Sequence, residues 1–258
     1  MITNKEGNLL QDSLTMFIRS FKLSLRSPEA VTMAIIVPAV LMIIFIYVFG
    51  GAMNVGDISV INFIVPGIIL QTVGQNMPSV AVKVNNDVRK GVVDRFRTMP
   101  IAKSSILIGH VLSSVVQSFV VVTVTLITAF LVGFRPQAGL VEWLIAIGLL
   151  LLYVTMMTWL GVIAGVNAKD PESAAGFMAM IGVLPFLSSG FVPTETMPAA
   201  LRIFANHQPM TPVINAIRAL LLNQPIPDGQ LMAALLWCIG LIVVLFLLAN
   251  FIFNRKTA

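Results

Sequence analysis

The chain has 258 residues, 57% hydrophobic and 10% charged, with a formal net charge of +5 and a mean hydropathy of +0.94. That is more apolar surface than one water-soluble core of this length can hide, so most of the chain has a bilayer as its solvent. The basic residues sit at the ends of apolar runs and form no stripe, which excludes a nucleic-acid-binding surface.

Before the first apolar run, Leu10, Leu14, Phe17, Ile18, Phe21 and Leu25 recur at i, i+3, i+4 spacing, with Asp12, Arg19, Lys22 and Arg26 on other faces. The spacing predicts an amphipathic interfacial helix over 9–27. Such a helix is either a membrane anchor alone or an anchor whose polar face also touches a cytoplasmic partner. Six runs free of Asp, Glu, Lys and Arg follow, at 30–56, 58–82, 104–134, 143–168, 173–194 and 229–254. Each exceeds the roughly 20 residues that a spanning helix needs, so the expected fold class is an all-α polytopic membrane protein with six transmembrane helices. The first run begins near Ala30 and is followed by five others, which argues against a cleavable signal peptide.

With six alternating spans, thirteen Lys and Arg residues fall on the side of the termini and only Arg135, Arg202 and Arg218 fall on the other. The positive-inside rule then puts both termini in the cytoplasm. The second span carries Gln71, Gln75 and Ser79 at i, i+4, i+8, with Asn76 beside them. The third carries His110, Ser114, Gln117, Thr125 and Thr128 near one stripe. In lipid such groups must face protein or water, so they either bond helix to helix or line a substrate path, for which Gln71, Gln75, Ser114 and Gln117 are the candidates. His110 lies too near the cytoplasmic end for a proton relay.

Between these spans lies VNNDVRKGVVDRFRTMPIAKSS, 84–105, with seven ionisable residues: Asp87, Arg89, Lys90, Asp94, Arg95, Arg97 and Lys103. Drawing all seven into hydrocarbon would cost about 20 kcal/mol, so the segment stays wet or covered by protein. Val88, Val92, Val93 and Phe96 recur at helical spacing opposite Arg89, Lys90, Arg95 and Arg97, a face that a plain solvated loop fixing topology would not need.

Ala174 to Phe186 reads as a short apolar helix interrupted at Pro185, too short to cross by itself, so the fifth span is expected to continue through Pro185 and Ser188. Two short helices follow. Pro198 suits the start of one over Ala199 to Phe204; for the other, Thr211 suits an N-cap, with Pro212 at the first helical position and an end at Leu222. With Arg202 and Arg218 in them, they are expected to form a short re-entrant or interfacial helical pair within an external hairpin over 188–227. The whole chain, 1–258, reads as a single transmembrane domain.

No Gly-x-x-x-x-Gly-Lys-Ser/Thr loop is present, so ATP phosphates would not be cradled here by the usual route. Two histidines and the lone Cys238 offer no metal-ligand cluster and no internal disulfide. The spans lack an intramembrane carboxylate, which argues against an ion-coupled carrier.

Three pieces in order carry a resemblance: RSPEA, Arg26 to Ala30, closing the amphipathic arm; RKGVVDRFRTMPIAKSSILIGHVLS, Arg89 to Ser113; and SSGFVPTETMP followed by HQPMTPVINAIRALL, ending at Leu221. The chain resembles the membrane subunits of type 2 ABC exporters, near the daunorubicin-resistance-type permeases. Gly91, Arg95, Arg97, Met99, Pro100 and Ile101 match the middle motif; the family's glutamate pair ahead of the glycine is replaced by Asp87 and Lys90, so acidic contacts are not carried over. The resemblance implies two permease subunits, this chain with a second copy or paralogue, and two separate cytoplasmic ATPase subunits that bind ATP and Mg. This chain itself would be non-catalytic and carry no cofactor. It also implies a coupling helix between spans two and three, with Arg89, Gly91, Asp94, Arg95, Arg97, Met99 and Pro100 as candidate ATPase contacts. The function it implies is a permease of an ATP-driven exporter in a bacterial plasma membrane, moving a drug, antimicrobial peptide, lipid or similar amphipathic cargo. An ATP-independent carrier or channel, or a membrane-bound sensor or immunity protein, is the alternative.

Overall fold

The computed structural model describes residues 28–51, 53, 55, 58–89 and 103–256. The expected amphipathic helix over 9–27 and residues 90–102 of the charged segment lie outside the described residues. Among the described residues the structure is all-helical. Helix α1, Pro28–Ile43, runs directly into a π-turn, Ile44–Val48, closed by Phe49 N–H donating to Ile44 O at 3.1 Å. Four long helices follow or complete the bundle: α2 (Val60–Arg89), α3 (Lys103–Val132), α4 (Leu140–Asn167) and, at the end of the chain, α8 (Gln230–Lys256). Between α4 and α8 come α5 (Pro171–Ile181), 3₁₀ turns at Leu184–Leu187 and Thr194–Thr196, α6 (Ala199–His207) and α7 (Met210–Leu221).

Among the described residues, four helical stretches are long and apolar enough to cross a membrane: Val60–Arg89, Val111–Val132, Leu140–Asn167 and Gln230–Ala249. Their burial follows their polarity. The least apolar, α2, has 72% of its crossing window inside the protein, and the most apolar, α8, has 17%. A helix carrying Gln71, Asn76, Ser79, Lys83 and Asn85 must spend those groups on protein or water, whereas a uniformly greasy helix is at home against lipid. Hence α2 is the axis of the fold, packed against α3, α4, α5 and α7.

Two close backbone approaches fix how it packs. A Cβ on Gly165 would lie 2.5 Å from Ala81 O, and one on Gly67 would lie 2.5 Å from Gly190 O, so only glycine fits either place. Gly161 sits against Met77 and Val80 just as Gly165 sits against Ala81 and Val84, which makes α2 and α4 parallel. Gly74 meets Gly182 while Gly67 meets Gly190, so the strand of chain through α5 and beyond runs antiparallel to α2. Lys83 pairs with Gln117 and Asn62 with Arg135, so α3 is antiparallel too. Along the chain, α2, α3, α4 and α5 thus alternate in direction.

The 173–194 run differs from expectation. Its helix ends at Ile181, and Pro185 lies in the following 3₁₀ turn. The physical reason is local: the Pro185 ring lacks an N–H and would clash with the carbonyl four residues back, which is that of Ile181. The helix also begins earlier than Ala174. Asp170 is extended, its carboxylate accepts from Ser173 N–H at 2.7 Å, and Pro171 takes the first helical position.

The last two short helices form where expected, with shifted ends. Helix α6 has Pro198 as its N-cap and runs on to His207, past the expected Phe204. Helix α7 starts at Met210 behind Pro209, so Thr211 is not the cap. Its hydroxyl is instead buried and accepts from Ser189 N–H at 3.3 Å, a tertiary bond that outweighs the local capping preference. Helix α6 exposes Leu201, Ile203 and Phe204, whereas α7 is buried along nearly its whole length against α2, α4 and α8.

Candidate functional site

Three polar regions lie along α2. At its Val60 end, Arg218 of α7 is 8% exposed among apolar neighbours. Its Nε–H donates to Phe63 O at 2.9 Å, one terminal nitrogen donates to Asn215 Oδ1 at 3.0 Å, and the other donates to Ser189 O. The guanidinium plane also lies 3.9 Å from the centroid of the Phe63 ring. All the partners are neutral, so the rigid fork of Arg is used here as a three-way hydrogen-bonding staple joining α2, α7 and the turn 188–191.

That turn is held from several directions. Ser189 Oγ donates to Asn215 Oδ1 at 2.6 Å, Ser188 Oγ accepts from Gly190 N–H, and Gln208 Nε2 donates to Leu187 O. Phe191, 2% exposed, stacks on Phe186 at 4.8 Å and meets the tilted ring of Phe45 in the π-turn at 4.6 Å. Arg135 caps the end of α3 by donating to Phe130 O and Phe134 O, and Gln137 N–H reaches Leu221 O at 2.9 Å. The Val60 end is thus a closed, cross-linked cap. Beside it lies an apolar cleft of about 270 Å³ lined by Phe186, Leu187, Val192, Met197, Pro198 and Leu201.

Along the middle of α2 the candidate path residues separate. Gln71 is buried, with Oε1 unpartnered among the described residues, while Gln75, one turn further, is exposed. Ser114 is buried in α3, and Gln117 is half-buried, accepting from Lys83 Nζ at 3.3 Å. Lys83 falls eight residues after Gln75, on the same face, so the stripe 71, 75, 79, 83 reaches α3 through it. By its place at the end of an apolar run Lys83 reads as a topology charge, yet its ammonium is spent on this bond between α2 and α3. Thr125 and Thr128 neither bridge helices nor point to a path: each donates to the carbonyl four residues back, at 2.9 and 3.0 Å.

At the Arg89 end, Asn85 is 1% exposed and donates to Gly165 O at 2.9 Å and to Ala168 O at 2.8 Å. The adjacent Asp170 carboxyl is held below the usual carboxylate range by its bonds from Ser173, with Arg89 adding a favourable charge. Arg89 itself is exposed as the last residue of α2. The other candidate coupling residues, Gly91, Asp94, Arg95, Arg97, Met99 and Pro100, lie outside the described residues. Asn85 and Arg218 were not among the sequence candidates. The available signal was their polarity: an amide and a cation in helices otherwise apolar enough to be buried.

Comparisons with known proteins agree with one another. A family model described as ABC-2 type transporter matches residues 11–222. Among curated proteins, the chain is 31% identical over 188 residues to a daunorubicin resistance ABC transporter permease protein of Streptomyces coeruleorubidus, covering 72% of this chain and 66% of that relative's length. It is 27% identical over 213 residues to a probable doxorubicin resistance ABC transporter permease protein of Mycobacterium tuberculosis, covering 82% of this chain and 76% of the relative.

Proposed function

Because the chain belongs to the ABC-2 type transporter family, we propose that it is the permease subunit of an ATP-driven exporter and forms the translocation path for an amphipathic cargo such as a drug, an antimicrobial peptide or a lipid. A separate cytoplasmic ATPase binds ATP and Mg, and a second permease copy or paralogue completes the path.

Six crossings are the reading best supported. The 16 residues of α1 and the 5 of the π-turn run on together, about 31 Å, enough for a span. Helix α5 with its 3₁₀ continuation serves as the fifth, its irregular end tolerated because α2 and α7 cover it. With the termini cytoplasmic, the Val60 end of α2 is external, α7 is the buried re-entrant member of the hairpin, and α6 lies along the interface. The Arg89 end then meets the ATPase through 84–105, with Gly91, Asp94, Arg95, Arg97, Met99 and Pro100 making the contact.

The observation that carries the path is Gln75, an amide exposed at the middle of the most buried span. Facing lipid, it would lack hydrogen-bond partners, so this face of α2 is covered by water or by the second permease, and Ser79, Lys83 and Gln117 continue it toward the cytoplasm. Co-purification tests the ATPase contact: Arg95→Glu with Arg97→Glu should detach the ATPase from a permease that still inserts. Full retention of the ATPase by that double variant would overturn the assignment.

A further inference from the structure

Asn85 sits one turn before the end of α2, and both of its amide hydrogens are used on one task. They satisfy Gly165 O and Ala168 O at the carboxyl end of α4, where a helix leaves its last carbonyls without partners of its own. The bond is possible because Gly165 lets the backbones approach; a Cβ there would fall 2.8 Å from Val84 Cβ as well as against Ala81 O. Ala168 is extended, and two residues on Asp170 caps α5. The amino end of α5 is therefore joined to the same point. Arg89 acts on Asp170 across this gap. Asn85 Oδ1 is buried with no partner among the described residues, so only the donor half of the amide is in use.

We propose that Asn85 is a positioning residue that fastens the α4–α5 turn to the cytoplasmic end of α2, so that the ATPase-driven movement of the coupling segment is delivered to α2, α4 and α5 as one body. This rests on the coupling reading above and adds which helices receive the motion. Near-isosteres lose the paired donors: Asp presents acceptors to two carbonyls, Leu presents nothing, and Ser is too short to reach both.

The test uses the full permease–ATPase complex in nanodiscs, with Cys238→Ser removing the one native thiol. Spin labels are placed in pairs at Asn86→Cys with Glu172→Cys, and at Asn86→Cys with Leu247→Cys, an exposed position on α8, outside the proposed body. ATP binding is expected to change the Asn86–Leu247 distance while leaving Asn86–Glu172 unchanged. Asn85→Asp, the same shape without the donor, should broaden Asn86–Glu172 and make it respond to nucleotide. A wild-type Asn86–Glu172 distance that shifts with ATP while Asn86–Leu247 also shifts would overturn the Asn85 assignment and leave the coupling reading standing. No change in Asn86–Leu247 would overturn the coupling reading itself. The wild-type distances decide these outcomes even if Asn85→Asp fails to fold, and an Asn85→Asp complex behaving like wild type would also count against the proposal.

Discussion

Replacing Gly67 by alanine puts a methyl group 2.5 Å from Gly190 O and 2.7 Å from Gly190 C and Cα. All three are backbone atoms of a turn already fixed by Ser188, Ser189 and Arg218, so no side chain can swing away; α2 and the turn must part by about 1 Å to restore ordinary contact. Overpacking of this kind costs about 1–3 kcal/mol, partly offset by about 1 kcal/mol from the better helix propensity of alanine, for a net loss of about 1–2 kcal/mol. Gly165→Ala meets Ala81 O at 2.5 Å and should behave alike. Gly74→Ala finds Gly182 Cα at 3.4 Å, an ordinary contact, and should be near neutral. Gly148 and Gly240 have nothing within 4 Å, so alanine there should stabilise by up to about 1 kcal/mol. Thermal unfolding of the purified chain in detergent separates these cases, at about 2–4 °C per kcal/mol for a chain of this size. Equal stability of Gly67→Ala and Gly240→Ala would refute the reasoning.

Arg218→Lys keeps the charge but cannot reach Phe63 O, Asn215 Oδ1 and Ser189 O together. It should lose about 2 kcal/mol in the same unfolding assay, and no loss would show that the staple is not needed. Asp170 has its folded pKa depressed, so its cap contributes above the ordinary carboxylate pKa and is lost as pH falls through the depressed value. Hydrogen-exchange protection of the Ser173 amide should therefore drop in acid in the wild type and be pH-independent in Asp170→Asn; identical profiles would contradict the capping assignment. Gln75→Leu removes one path hydrogen bond, worth about 3- to 10-fold in transport rate, with little change in unfolding temperature, and an unchanged rate would remove Gln75 from the path.

What could be read from the sequence follows from which forces are local. Charge-free runs identify α2, α3, α4 and α8 because bilayer thickness fixes their length, and both α6 and α7 are announced by prolines. The stop at Ile181 and the start at Asp170 were also written locally, in Pro185 and in the Asp170–Pro171 pair, yet hydropathy alone blurred them into one run. Thr211 misled because a residue with capping chemistry was recruited by Ser189, 22 positions away. The glycine seams were illegible for a similar reason: Gly67, Gly148 and Gly240 look alike along the chain, and only the approach of another backbone distinguishes them. Arg218 and Lys83 passed for topology charges because hydrogen bonds across 155 and 34 positions leave no periodic trace.

The most direct measurement is transport in proteoliposomes containing this chain with and without its ATPase, with radiolabelled daunorubicin as probe because it is named for a relative. Accumulation should require both the ATPase and ATP, and should fall to background with Arg95→Glu and Arg97→Glu. Equal accumulation by the chain alone, without nucleotide, would contradict an ATP-driven permease and point to a carrier or channel.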